Sequence, residues 1–195
     1  METVMVLTLS SMRSLGMRAP NFKLVDVISD EVVTLKDIES DIGTVVMFIC
    51  NHCPYVKHIQ EVLVSLAESY IMKGISFVAI NSNDISEFPE DSPKKMKELA
   101  EELDFPFPYL FDYTQNVARE YGATCTPDFF VFDGSQELVY RGQFCDARPG
   151  NHIPVTGMDL AEALHCLIKG KEITLDQLPS IGCNIKWAET NSLYN

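Results

Sequence analysis

Val45-Val46-Met47-Phe48-Ile49-Cys50-Asn51-His52-Cys53-Pro54 is an apolar run that ends in two thiols and a proline. Consecutive apolar residues that open on two valines read as a strand buried on both faces. Downstream, Ile59, Val62, Leu63, Leu66, Ala67, Tyr70 and Ile71 recur at helical spacing, which predicts an amphipathic helix over 54–73 closed by Gly74. Proline suits the first helical position because the N–H it lacks would have been unpaired there, so Cys53 is the expected N-cap. The free amides and dipole of a helix start favour an anion, and thiolate is the reactive form of cysteine. Cys53 is therefore expected to ionise below the value of about 8.5 for a free thiol.

The rest of the chain extends this unit. Ile75-Ser76-Phe77-Val78-Ala79-Ile80 reads as a second buried strand, and strand, helix, strand at this spacing implies a parallel pair with a right-handed crossover. Upstream, strands over 19–27 and 32–35 flank a turn at 29–31 and predict an N-terminal hairpin. Ser92-Pro93 opens a helix running to about 103, a strand is expected over 107–111 and a short helix over 115–121. Thr126-Pro127 leads into Asp128-Phe129-Phe130-Val131-Phe132, and Asp133-Gly134 turns the chain into Leu138-Val139-Tyr140 as a hairpin. A last helix is expected over 158–169. The segment 178–195, broken by proline and glycine and carrying Trp187, reads as an irregular arm.

Composition narrows the setting. A chain of 195 residues, 46% hydrophobic, buries an adequate core without disulfide staples. Its six cysteines, at 50, 53, 125, 145, 166 and 183, are too scattered for a secreted framework and point to a reducing compartment. The first 18 residues hold only the short apolar run Val4 to Leu7, so neither signal peptide nor anchor is expected and the cytoplasm is the expected location. A net charge of −13 opposes binding to nucleic acid or to an anionic membrane. Glu87, Glu90 and Asp91 read as solvated acidic surface.

Strand, cysteine pair, amphipathic helix, strand, then Thr-Pro before a hairpin resembles the thioredoxin fold. Ala19-Pro20-Asn21-Phe22, the Cys50 to Lys57 segment, Tyr121-Gly122-Ala123 with Thr126-Pro127-Asp128-Phe129-Phe130, and Ile181-Gly182-Cys183-Asn184-Ile185-Lys186-Trp187 resemble a peroxiredoxin-like subgroup of the alkyl hydroperoxide reductase and thiol-specific antioxidant superfamily. The resemblance implies an α/β thioredoxin-like domain over 19–177, a central mixed sheet flanked by helices, with an extension at 1–18 and the arm at 178–195 packed on it. It implies thiol-disulfide or peroxide chemistry. It also implies a cis Pro127 that sets the backbone of Thr126 beside the reactive sulfur as a dock for a substrate strand.

In the register that matches Phe48 to the active-site strand of thioredoxin, Cys53 is the attacking cysteine, Val56 stands where the usual partner thiol would be, and Cys50 supplies a thiol three residues upstream. The other register makes Cys50 the attacker, at a strand end without helix amides. Met47 replaces the buried aspartate of thioredoxin. Cys50 and the Thr126-Pro127 region stand where peroxiredoxins carry a threonine and an arginine. Cys183 is either a resolving thiol or an anchor for the arm, and Cys125 either a third redox partner or strand-end packing. Cys145 and Cys166 read as packing or surface. His52 and Lys57 are candidates for tuning the pKa of the pair.

These residues point first to a thiol-disulfide oxidoreductase in which Cys53 attacks and Cys50 resolves, needing no cofactor. The substrate would be a disulfide-containing protein, a small oxidised thiol or a hydroperoxide, and an external thiol would restore the enzyme. One alternative is a thiol peroxidase acting on hydroperoxides. Another is a non-catalytic thioredoxin-fold binding module, with metal carriage as its variant. Cys50, His52, Cys53 and His58 carry zinc-type ligand atoms, but all fall within nine residues rather than on two separated knuckles, so no metal is expected. Oligomeric state is not legible.

Overall fold

The computed structural model describes residues 7–188; positions 1–6 of the expected extension and 189–195 of the expected arm lie outside it. The apolar run forms β4, Gly43–Phe48, every residue of it buried, and the next run forms β5, Ile75–Asn81. The two pair in parallel, with Val45 opposite Phe77, across the helix α2, Pro54–Ile71. Helix α2 starts at Pro54 with Cys53 as N-cap, and buries Val56, Ile59, Leu63, Leu66 and Ala67. That spacing is one helical face, which is why the segment packs on the sheet instead of joining it.

The sheet grows outward from this pair. Asp128–Asp133 (β8) runs antiparallel to β4 and Leu138–Gly142 (β9) returns beside it, so the Asp-Gly turn makes the expected hairpin. On the other side Tyr109–Phe111 (β6) pairs with β5, and the N-terminal hairpin of β2 (Lys23–Asp26) and β3 (Val32–Thr34) adds to β6. The strand order is β3-β2-β6-β5-β4-β8-β9.

Alternate side chains of the central strands enter two apolar layers. Val45, Met47, Phe129 and Val131 face α2 and the helices Pro93–Glu102 (α3) and Met158–Ile168 (α5). Val46, Phe48, Phe130 and Phe132 face Leu35–Ile38 (α1) and Asn116–Tyr121 (α4). In the second layer the Tyr121 ring lies 5.6–5.9 Å from those of Phe48, Phe130 and Phe132 in tilted or edge-on contact. Each buried aromatic contributes on the order of 2–3 kcal/mol by area, before geometry is counted. Helix α1 has only four residues, too few to show a period. Its signature is local: the Asp37 carboxylate accepts from the backbone N–H and hydroxyl of Thr34 at 2.9 and 2.6 Å.

The arm corrects one expectation. Ile181–Asn184 is not irregular but a strand, β10, between Leu7–Leu9 (β1) and Cys125–Thr126 (β7) in a separate antiparallel sheet. Its pairing partners lie far off in sequence, Leu7 opposite Cys183 on one side and Thr126 opposite Cys183 on the other. A strand of four residues holding a glycine has almost no local preference, so the tertiary partners create it. No helix among the described residues is long and apolar enough to cross a membrane.

Candidate active site

Three elements meet at the C-terminal end of β4: the loop carrying Cys50 and Cys53, the Thr126-Pro127 turn, and β10. The Thr126–Pro127 bond is cis. Cys53 is fully buried at the N-cap of α2, with its Sγ 3.0 Å from Cys183 Sγ and 3.2 Å from the Thr126 carbonyl oxygen. Cys50 Sγ lies 3.4 Å from Thr126 Oγ1 and 3.8 Å from His52 Nδ1. Of the sequence candidates, Cys50, Cys53, Thr126 and Cys183 thus come together around one point.

Hydrogen bonding divides the charge unevenly. Contacts with Cys183 and Cys50 hold Cys53 far below the ordinary thiol range, and the Thr126 side chain and the Val56 amide of the helix start add to this against the cost of burial. The helix amide acts in the expected direction but is the smallest of these causes. The Thr126 carbonyl favours the protonated form, and the donors outweigh it. Burial comes first in pushing Cys50 up, followed by its bond to Cys53 and the charges of Asp91 and Cys53. Cys183 is pushed up by its bond to Cys53 and then by burial, with Lys186 opposing. These shifts favour negative charge on Cys53 and protons on Cys50 and Cys183.

The remaining candidates fall elsewhere. Cys125 is buried on β7, with its thiol 3.8 Å from the Pro127 carbonyl, and burial followed by the charge of Asp128 pushes it up. Lys57 is exposed on α2 and is not among the groups that dominate the shift of Cys53. His52 Nδ1 bonds Asp91 Oδ2 at 2.5 Å, and its ring stacks on Phe88 at 4.7 Å. Cys145 is buried and Cys166 lies partly exposed on α5.

Thr126 was expected to offer main-chain groups to a docking strand. Cys183 sits opposite it in the β7–β10 ladder, so the chain's own tail fills that edge. Four residues of the site were missed. Asp91, read as solvated surface, is completely buried, whereas Glu87 and Glu90 are exposed. Asn83 is buried against it, Lys186 is buried against Asn83 in turn, and Asp128 is buried directly after Pro127. Asp91 stands directly before the capping Ser92, and neither charge pattern nor spacing separates it from its exposed neighbours.

Cys50, His52 and Asp91 bring ligand-type atoms within 4.8 Å of one another. His52 Nδ1 and Asp91 Oδ2 are bonded to each other, and Asp91 also accepts from Asn51 N, His52 N and Asn83 Nδ2 at 2.8, 3.2 and 2.8 Å. These polar atoms are turned on each other, which makes the group a hydrogen-bond network.

Known proteins share this fold. No curated protein matches the chain. Among solved structures, an uncharacterized conserved protein from Geobacillus kaustophilus superposes with a TM-score of 0.95 at 55% identity, covering 96% of this chain and 100% of that one. A hypothetical protein from Sinorhizobium meliloti 1021 gives 0.91 at 46% identity, covering 93% and 99%. A thioredoxin family thiol:disulfide interchange protein from Chlorobium tepidum TLS gives 0.61 at 17% identity over 80% and 99%, a likeness of fold. The architecture is thioredoxin-like. The AhpC/TSA family profile matches residues 15–141, nearly two thirds of the chain and the whole of the β4, α2 and cis-proline framework, and the protein belongs to the AhpC/TSA family.

Proposed function

We propose that the protein is a cysteine-based oxidoreductase in which Cys53 is the attacking thiolate and Cys183 the thiol that closes the cycle. Family membership supports redox chemistry of the thioredoxin-like kind. The observation that carries the finer reading is the 3.0 Å approach of Cys183 Sγ to Cys53 Sγ, on a strand whose pairing holds Cys183 opposite Thr126. A disulfide needs the sulfurs at about 2.05 Å, so a shift of about 1 Å closes the bond. Cys50, the resolving thiol expected from its spacing, fits better as a donor that keeps its proton and stabilises the anion.

With a disulfide as substrate, the Cys53 thiolate attacks one sulfur and the other leaves as a thiolate that takes up a proton. Cys183 then gives up its proton and attacks Cys53, which expels the second substrate thiol and leaves a Cys53–Cys183 bond. The substrate has gained two electrons and two protons. An external dithiol returns them to the enzyme and reopens the bond.

A second reading makes a hydroperoxide the oxidant, and burial favours it. Cys50, Cys53 and Cys183 are 1%, 0% and 2% exposed, and β10 fills the edge of β7 that a peptide would use. A small oxidant is the easier guest. The thiolate takes the distal oxygen with its hydrogen as a sulfenic acid, the alkoxide leaves and takes a proton from solvent to become the alcohol, and the Cys183 thiol then displaces water to give the same disulfide. Mass mapping after one equivalent of oxidant tests the partner assignment: a Cys53–Cys183 link is expected, and a Cys50–Cys53 link would overturn it. Stopped-flow mixing with hydrogen peroxide and with a small disulfide separates the two substrates.

A further inference from the structure

Asp91 is a carboxylate removed from water that forms no ion pair with a lysine or arginine among the described residues; its ion-pair partner is His52. Its oxygens accept four hydrogen bonds, two at Oδ1 from Asn51 N and His52 N and two at Oδ2 from His52 Nδ1 and Asn83 Nδ2. Its own carbonyl accepts from Asn81 Nδ2 at 3.3 Å. Burying a carboxylate is costly even when hydrogen bonds and a histidine satisfy it, and a neutral side chain could clamp the same loop. The charge therefore calls for an explanation beyond loop structure.

Both arms of the network lead to the sulfurs. Asn51 and His52 are the two residues between Cys50 and Cys53, so Asp91 grips the link that sets the spacing of those thiols. Asn83 faces the other way as well: its Oδ1 accepts from Lys186 N at 2.8 Å, and Asp84 N donates to Lys186 O at 2.8 Å. Lys186 lies three residues beyond Cys183 and is fixed by bonds from its ammonium to Asn184 O and Oδ1 at 3.1 and 2.6 Å. One carboxylate is thus joined to the loop that carries two thiols and to the strand that carries the third.

We infer that Asp91, acting through His52 and Asn83, is a positioning residue that decides which of Cys50 and Cys53 carries the negative charge and holds Cys183 against that anion. The inference deepens the proposed function and rests on Cys53 as the reactive thiolate. The negative field of Asp91 falls on Cys50 and favours its protonated form, which leaves Cys50 as donor and Cys53 as acceptor. Other charged or titratable groups face the sulfurs. His52 and Tyr109 lie on the Cys50 side, Lys186 beside Cys183, and Cys125, with Asp128 behind it, beyond Cys53. Among the groups that act on Cys50, Asp91 is the one fixed negative charge that is not a thiol.

The test follows each cysteine by NMR in the reduced full-length protein, labelled with 13C at cysteine Cβ, across a pH titration. In the unaltered protein Cys53 is expected to ionise first and Cys50 far later. In Asp91→Asn the separation between the two should narrow by at least about one unit, a tenfold change in the ratio of anions, and Asp91→Glu should restore most of it. Asn83→Ala keeps the charge and cuts the arm to the tail. It should leave the separation in place while slowing closure of the Cys53–Cys183 bond under diamide by about tenfold, or about 1.4 kcal/mol. A folded Asp91→Asn protein with unchanged separation would overturn the inference and leave Cys53 as nucleophile standing. If Asp91→Asn does not fold, an Asn83→Ala protein that closes the bond at the normal rate overturns it instead. Should Cys53 fail to ionise ahead of Cys50 in the unaltered protein, both readings fall together.

Discussion

Gly182 lies directly against Thr126. A Cβ at position 182 would come 1.9 Å from the Thr126 carbonyl oxygen, closer than atoms can pack, and 3.2 Å from Pro127 Cδ, a tight contact. Both obstacles belong to the backbone and ring of the cis-proline turn, so neither can swing aside. The absence of one methyl group is what lets β10 settle on β7 with Cys183 facing Cys53.

Gly182→Ala is therefore expected to lift β10 from β7 and separate the two sulfurs. Closure of the Cys53–Cys183 bond after oxidation should slow by at least about tenfold, since a misplacement of about 1 Å is enough to cost that much. Quenched-flow alkylation with mass mapping measures it. Closure at the unaltered rate would mean that the strand is not what aligns the sulfurs.

Replacing single sulfurs should separate their roles. Cys53→Ser is expected to abolish turnover. Cys183→Ser should allow the first attack and then stall, accumulating a mixed disulfide or a sulfenic acid on Cys53 that intact-mass measurement detects. Cys50→Ser keeps a hydroxyl donor, so it should slow the first attack without blocking closure. Accumulation of the intermediate in Cys50→Ser and not in Cys183→Ser would exchange the two assignments.

Asp128 makes stability depend on pH. Burial raises its carboxyl from the usual range to about 7, while Ser10, Ser180 and nearby backbone amides pull the other way. Ser10 and Ser180 are close enough to favour the charge, yet among the described residues neither hydroxyl bonds it and both carboxylate oxygens lack a hydrogen-bond partner. A folded-state value raised above the unfolded one means that the native state holds the extra proton. Its contribution is complete below about pH 4 and is lost as pH rises through about 7. The shift of about three units corresponds to a loss on the order of 4 kcal/mol. Asp128→Asn, a neutral isostere, should flatten this fall and be the more stable protein at pH 8. Urea unfolding of both proteins at pH 5 and pH 8 checks it, and equal slopes against pH would refute it.

Phe130→Ala tests the far layer. It empties the centre of the cluster that Phe48 and Tyr121 close at 5.9 Å each. A loss of about 3–5 kcal/mol is expected from the cavity. The side chain points away from the sulfurs, so chemical denaturation should register the change while thiol ionisation does not.

The main elements were legible because local rules and tertiary demands coincide in them. Val45 to Phe48 lie in β4 because consecutive apolar residues have no solvent face to offer. Helix α2 starts at Pro54 because proline's missing N–H costs nothing there, and the same start makes Cys53 an N-cap. Asp133-Gly134 turned the chain where the β8–β9 hairpin required it. What local rules could not carry was β10, whose residues become a strand only between Leu7 and Thr126, and Asp91, whose burial depends on donors from positions 51, 52 and 83.

The linear order of residues by itself determined that a thiol would stand at the strand-to-helix junction of a parallel strand-helix-strand unit, because periodicity, capping and turn chemistry act over a few neighbouring residues, and its motifs resembled the thioredoxin fold. Tertiary structure alone decided which sulfur faces it. Cys50 is three residues from Cys53 and Cys183 is 130 away, yet the distant thiol makes the 3.0 Å contact. Chain proximity limits where a side chain can be, but ladder pairing and the bare backbone at Gly182 settle where it is.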